Sequence, residues 1–345
     1  MNGTLLVSGL FRNNDSLPNN GSDFSNKIYV FRPLNPSVKL ALLLLFVAIA
    51  TVSFAGNVLV LLFLKTKDRT TSFMRACDFQ KNFNFYIKSL ATSDVLAGAI
   101  PLPYLSVNLY FDFLQRGWPC KIGRYVVFLF PCVTGNNLLV ASLGKYLATR
   151  QVPRTFSIAT VKKVVFIAWL AGFLFALFPA ATMNGIRYDF NDTHYTVICK
   201  YDNTYVPFRI VFVTFTILQY IIPSCILIRI NISLMMTLWR RRKRVVDVQK
   251  DNGVKSMARA ATNRAMYVVI ALTFAFVSPY LGYFGYAIYN MIAQPDISFE
   301  TDQIIRTANT IIVYSNSAIN PIIYFVQMRD FRAFCKEKFI SRFFT

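Results

Sequence analysis

Few side chains in this sequence could do chemistry, and the clearest candidate is an acid placed where acids are costly. Asp94, in SLATSDVLAGA, is the one carboxylate deep inside a long apolar run. An aspartate facing hydrocarbon costs roughly 2.5–3.5 kcal/mol on insertion scales, so Asp94 must face other protein groups. Asn57 in FAGNVLVLL, Thr134 and Asn137, and Asn316, Ser317 and Asn320 in YSNSAINPIIY are polar residues of other apolar runs that can converge on it. Such a set is either a hydrogen-bonded core that fixes helix packing or a site for a cation or proton coupled to conformational change. A second charge stands at a boundary: Lys145, in VASLGKYLATR, follows Gly144 and has no acidic neighbour there. Ordinary enzyme chemistry finds little support. The only histidine, His194, is isolated, no run carries a carboxylate pair, and no glycine-rich phosphate loop occurs. The chain is expected not to be an enzyme.

The elements that must hold these residues follow from composition. Of 345 residues, 55% are hydrophobic and 15% charged, with a mean hydropathy of +0.43, which is a membrane composition. Seven mostly apolar stretches, 38–64, 84–110, 121–149, 161–182, 205–239, 262–290 and 303–325, are each long enough to cross a hydrocarbon core of about 30 Å as a helix. Pro131, Pro179, Pro223, Pro279 and Pro321 interrupt them, which a packed membrane bundle tolerates. The expected fold is an all-α membrane protein, a seven-transmembrane helix bundle over residues 38–325. An outer segment, 1–37, precedes it, and a cytoplasmic segment, 326–345, follows. The head shows no cleavable signal peptide, so the first span is expected to serve as its own insertion signal. Matched halves with broken helices, the mark of many transporters, are absent.

A net charge of +21 would suggest nucleic acid if the basic residues formed one patch, but the spans divide them. Of 37 Lys and Arg, 26 lie in or beside the segments after spans one, three and five and in the tail, against 11 elsewhere. The acids run oppositely, 6 against 9, with Asp94 in between. That asymmetry places the N-terminus outside, the C-terminus in the cytosol, and excludes nucleic acid as a partner. The WRRRKR cluster, Trp239 to Arg244, could meet anionic lipid or a cytosolic partner. Sequons at Asn2, Asn14, Asn20 and Asn191 fall on the outer side and are candidate glycosylation sites, whereas the one at Asn231 falls inside a span. Of six cysteines only Cys120 and Cys199 lie on the oxidising side, so they are expected to pair. Phe331, Phe334, Cys335 and Phe339 recur at helical spacing against Arg329, Arg332, Lys336 and Lys338. A short amphipathic helix on the inner leaflet is expected there, with Cys335 a candidate lipidation site.

The motifs GNVLV with Asn57, LATSD with Asp94, WPC ending in Cys120, Trp169, Pro223, Pro279 and NPIIY, Asn320 to Tyr324, are together similar to those of a class A, rhodopsin-like G-protein-coupled receptor, over residues 38 to 340. The resemblance implies a plasma-membrane receptor that takes an extracellular or membrane-borne ligand and opens a cytosolic cavity to a heterotrimeric G protein. It also implies an allosteric sodium pocket on Asp94, Thr134, Asn316, Ser317 and Asn320, with no other cofactor. The switch region it implies holds Lys145, Tyr146, Pro279, Asn320, Pro321 and Tyr324. The departures are specific. The D-R-Y of the family reads Gly144-Lys145-Tyr146, helix six carries Phe276 and Val277 before Ser278 and Pro279, Asn231 replaces a common tyrosine, and Arg259 stands where an acid is frequent. They leave open a receptor-like protein that does not couple, acting as decoy, scaffold or heteromer partner.

Ligand class follows by exclusion. Val127 stands where a monoamine receptor needs a carboxylate, and Tyr314 where a retinal Schiff base needs a lysine. The expected pocket is Val127, Phe128, Pro131, Gln219, Tyr280, Phe284, Thr310 and Tyr314, apolar and aromatic with a few polar handles. Arg124 and Arg306 near its rim could attract an anionic group.

Overall fold

The computed structural model describes residues 27–71, 78–150, 156–189, 193–201, 205–247, 253–293 and 297–343. The sequons at Asn2, Asn14, Asn20 and Asn191, and Cys77, lie outside the described residues. Apolar runs became helices: α1 (Pro36–Thr71), α2 (Asp78–Ala99) continued by α3 (Pro101–Asn108), α4 (Gly117–Thr149), α5 (Ile158–Phe175) with α6 (Leu177–Ala181), α7 (Val206–Thr216) continued by α8 (Ile222–Asp247), α9 (Gly253–Ala293), α10 (Phe299–Gln327) and α11 (Arg329–Phe343). Six of these rods are long and apolar enough to cross a membrane. The seventh span is α10, less apolar because it turns Asn316, Ser317 and Asn320 into the bundle. Large apolar side chains such as Phe166, Ile167, Phe274 and Leu281 are exposed on the outside of the bundle, where lipid would meet them.

Proline explains the breaks. The second span bends at Ile100, ahead of Pro101 and Pro103, and the fourth at Ala176, ahead of Pro179. In the fifth span Pro223 has no N–H to give the carbonyl of Gln219, and a π turn, Ile217–Ile221, absorbs the mismatch. That turn puts Gln219 and Tyr220 in the interior. The first span packs on the second and seventh, the third on the second, fourth and fifth, and the sixth on the fifth and seventh. Where the first span meets the seventh, Gly56 lies against Pro321, and a Cβ would come within 2.9 Å of the ring. Helix α11 turns back against the bundle, with Phe331 and Phe334 against Phe63 of α1.

One feature was not expected from the sequence. Strands β2 (Met183–Asp189) and β3 (His194–Tyr201) form an antiparallel hairpin over the outer mouth. A short strand, β1 (Ile28–Tyr29), adds to β3 in parallel, so the residues before the first span are tied to the hairpin.

Candidate functional site

The outer mouth is assembled around a covalent link. Cys120, at the head of α4, is bonded to Cys199 of β3, which holds the hairpin over the bundle. Gln115, fully buried, accepts from the Cys199 backbone N–H at 3.0 Å and donates to Asn108 Oδ1 at 3.2 Å. Arg32, which follows β1, donates to the same Asn108 oxygen, and Arg124 of α4 donates to the Cys199 carbonyl. Beneath this network opens a cavity of about 900 Å³ of empty space, counted with its solvent-facing mouth. Arg32, Arg124, Lys200 and Arg306 supply its charge, and apolar walls such as Leu109, Phe212 and Tyr283 supply its body.

Of the eight expected pocket residues, the structure places Thr310 on this cavity's wall. Val127, Phe128, Pro131, Gln219, Tyr280, Phe284 and Tyr314 lie deeper, buried in an aromatic plug, where Pro131, Tyr280 and Tyr314 border a small void. Tyr220 stacks on Tyr280 with ring centroids 5.0 Å apart and meets Phe284 at 4.3 Å, while Phe276 meets Tyr280 at 4.5 Å. The Tyr314 hydroxyl donates to the Val127 carbonyl at 2.7 Å, and Gln219 donates to Asn136 at 3.0 Å. Aromatic rings drawn as pocket lining by their spacing pack on one another, because ring-on-ring contact removes more apolar surface than an open slot would. Arg124 and Arg306 are at the mouth, as their positions suggested; sequence reasoning missed Arg32 and Lys200. A basic residue shortly before the first span and another next to Cys199 were the available signals.

Below the plug lies the polar core. Asp94 is 0% exposed; its Oδ2 accepts from Asn320 at 2.7 Å and its backbone carbonyl accepts from Ser53. Asn57 donates to the carbonyls of Ser53 and Ser317, and Ser93 pairs with Thr134 at 2.7 Å. Asn137 faces elsewhere: it accepts from Ser89, which also accepts from Trp169. The Oδ1 atoms of Asp94, Asn57, Asn316 and Asn320 and the Tyr324 hydroxyl are buried with no hydrogen-bond partner in the structure. A small void bordered by Thr134, Asn316, Ser317 and Tyr280 separates core from plug. An oxygen-rich, singly acidic set with unsatisfied acceptors fits a hard monovalent cation or ordered water.

At its far end from the disulfide the third span departs from its expected form in a physically consistent way. Gly144 packs against Tyr86, and a Cβ there would sit 2.8 Å from the tyrosine oxygen. Lys145 is 2% exposed and holds its ammonium 3.9 Å from the Phe83 ring centroid, inside the bundle and away from its lipid-facing surface. Tyr324 is buried, Tyr146 half-buried, and Asn231 donates to the Leu227 carbonyl one turn back. The side chain at Arg259 lies outside the described set. Pro279 and Pro321 lie within α9 and α10, and Cys335, 7% exposed, is turned toward the bundle beside the first span.

The comparisons with known proteins agree with this architecture. The model of the 7 transmembrane receptor (rhodopsin family) matches residues 42–324. The chain belongs to the rhodopsin family of seven-transmembrane receptors. An adenosine receptor A2b from Gallus gallus is 23% identical over 327 residues, covering 89% of this chain and 90% of that protein. A probable G-protein coupled receptor 19 from Mus musculus is 22% identical over 322 residues, covering 91% of this chain and 71% of the relative. Squid rhodopsin shares the fold, with a TM-score of 0.66 at 17% identity over 93% of this chain and 92% of that one. This receptor is therefore a multi-pass membrane protein of the G-protein-coupled class and no enzyme.

Proposed function

We propose that this receptor stands in the plasma membrane with its N-terminus outside, takes a ligand into the cavity beneath the β hairpin, and passes the event to a heterotrimeric G protein. The observation that carries the reading is the plug. Tyr220, Tyr280, Phe284 and Phe276 are in continuous ring contact, and Tyr280 borders the small void above the polar core. A ligand pressing on the upper rings therefore biases the packing around Asp94, and outer and inner events draw on one two-state bundle. The oxygens around Asp94 would hold a sodium ion in the resting arrangement, supplying a positive charge that stabilises the carboxylate there. The relatives' names include adenosine receptors and a trace amine-associated receptor, and at 22–23% identity no one ligand carries over from them.

Coupling in this receptor is of low amplitude. A lysine offers a point charge where the family's arginine offers a planar fork, and Lys145 is folded onto Phe83. Nucleotide exchange on a panel of reconstituted G proteins tests this at matched receptor amounts: Lys145→Arg should raise exchange and Lys145→Ala lower it. Equal rates for all three on every responding G protein would make Lys145 an interfacial anchor only, and no exchange above background on any G protein would favour the second reading: a receptor-like decoy, scaffold or heteromer partner that does not couple.

A further inference from the structure

Four cations reach the outer cavity from four separate parts of the chain. Arg32 comes from the segment after β1, Arg124 from the third span, Lys200 from β3 and Arg306 from the seventh span. Among the described residues the acid at hand is Asp302, which pairs with Arg306 at 2.7 Å. The other neighbouring acids are engaged elsewhere: Asp112 accepts from Tyr29, and Asp189 pairs with Arg187 and Lys27. Among the described residues the cavity thus carries cations well in excess of acids.

Arg32 is the least explained by packing. It is 5% exposed, its Nε has no hydrogen-bond partner, and its φ of +40° is the one positive φ outside glycine among the described residues. Holding an arginine in that region costs backbone energy, and residues so held cluster at ligand sites. Burial first, and then Arg124, brings its pKa down to about 10. Burial and the neighbouring Arg306 likewise lower that of Lys200. Beyond the Asp302 partner of Arg306 and the neutral acceptors of Arg32 and Arg124, charges so gathered are stabilised by an incoming counter-charge.

We infer that the cavity binds a small organic oxyanion, a carboxylate or phosphate on an apolar or aromatic body, with Arg32 as its selecting residue; this rests on the cavity being the receptor's ligand site. The apolar wall receives the body and the four cations receive the head. Arg32 enters only because β1 pairs with β3, so the segment before the first span completes the site.

The test uses the full chain in nanodiscs of zwitterionic phosphatidylcholine and reads thermal unfolding with three matched pairs. These are decanoate against decanol, phenyl phosphate against phenol, and oleoyl lysophosphatidate against monooleoylglycerol. At least one anion should raise the melting temperature while its uncharged counterpart does not. A response to decanoate or phenyl phosphate identifies a free ligand, and one confined to lysophosphatidate a lipid-borne ligand. Arg32→Gln should weaken the responding anion about tenfold or more without lowering the melting temperature of the ligand-free protein, and Lys200→Gln should weaken it in the same direction. No response to any anion, equal responses to a counterpart, or unchanged affinity in both variants would overturn the inference. An anion that binds through Arg32 yet leaves G-protein exchange unaltered would instead overturn the signalling role of the cavity and leave its ligand class standing.

Discussion

Replacing Gly144 by alanine is a one-carbon change with a calculable consequence. The new Cβ would lie 2.8 Å from the Tyr86 Oη, 3.2 Å from Cε2 and 3.3 Å from Cζ. The first distance is well inside van der Waals contact, and Tyr86 is buried with little room to retreat. Overpacking of this kind costs about 1–3 kcal/mol, or roughly 2–10 °C of melting temperature in a domain of a couple of hundred residues. Tyr86→Phe removes the atom responsible for the worst contact and leaves separations of 3.2 and 3.3 Å, which a small shift accommodates. The double variant should therefore melt well above the sum of the two single losses, with a coupling of about 1 kcal/mol or more. Thermal unfolding of the four purified proteins in one detergent measures that cycle. Additive losses would refute the argument that Tyr86 occupies the space a Cβ at position 144 would need. So would a Gly144→Ala protein as stable as the parent.

Cys120→Ser and Cys199→Ser should each remove most surface receptor, since losing such a bond costs about 2–5 kcal/mol; the double variant should be no worse, and additive losses measured by surface labelling would contradict the tether. Sodium should weaken agonist binding to the parent, and Asp94→Asn should abolish that dependence with folding largely kept; a titration of binding against sodium at constant ionic strength checks it. Cys335→Ala should reduce metabolic palmitate labelling, and unchanged labelling would exclude it as the sole acyl site, where its side chain must first turn out from the bundle. Lys67 pairs with Asp330 at 2.8 Å and holds that carboxyl below its ordinary value of 3.8. This pair adds stability above that value and loses it as pH falls through the lowered one. Because Asp330 is exposed, Asp330→Asn should cost no more than about 1 kcal/mol at neutral pH, read by melting across an acid titration.

Much of this protein is legible in its amino-acid sequence because the relevant physics is local along the chain. A run of apolar residues either spans a bilayer or it does not, so the seven spans could be read directly, although Pro131, Pro279 and Pro321 lie inside helices that continue through them. Cysteine usage anticipated the Cys120–Cys199 bond, and the cost of a charge in hydrocarbon drew Asp94 inward, where Asn320 meets it. Three-dimensional packing decided the rest. Val127, Phe128, Tyr280, Phe284 and Tyr314 have the types and spacing of a pocket wall, but how three helices meet determines whether such rings enclose a space or fill it, and here they largely fill it, leaving a small void beside Tyr280 and Tyr314. The strand that carries Arg32 into the cavity forms only against a hairpin more than 150 residues away in the chain, a pairing that local propensity cannot encode. Lys145 was readable as a charge at a boundary. Its burial over Phe83 came from the close approach of the second and third spans, which Gly144 permits by having no side chain. Hydropathy and charge thus determined which segments cross the membrane and which residues could not face lipid. The placement of each remaining side chain, toward a ligand, a neighbouring ring or a cation, depends on contacts between helices distant in sequence, and only the folded bundle supplies those.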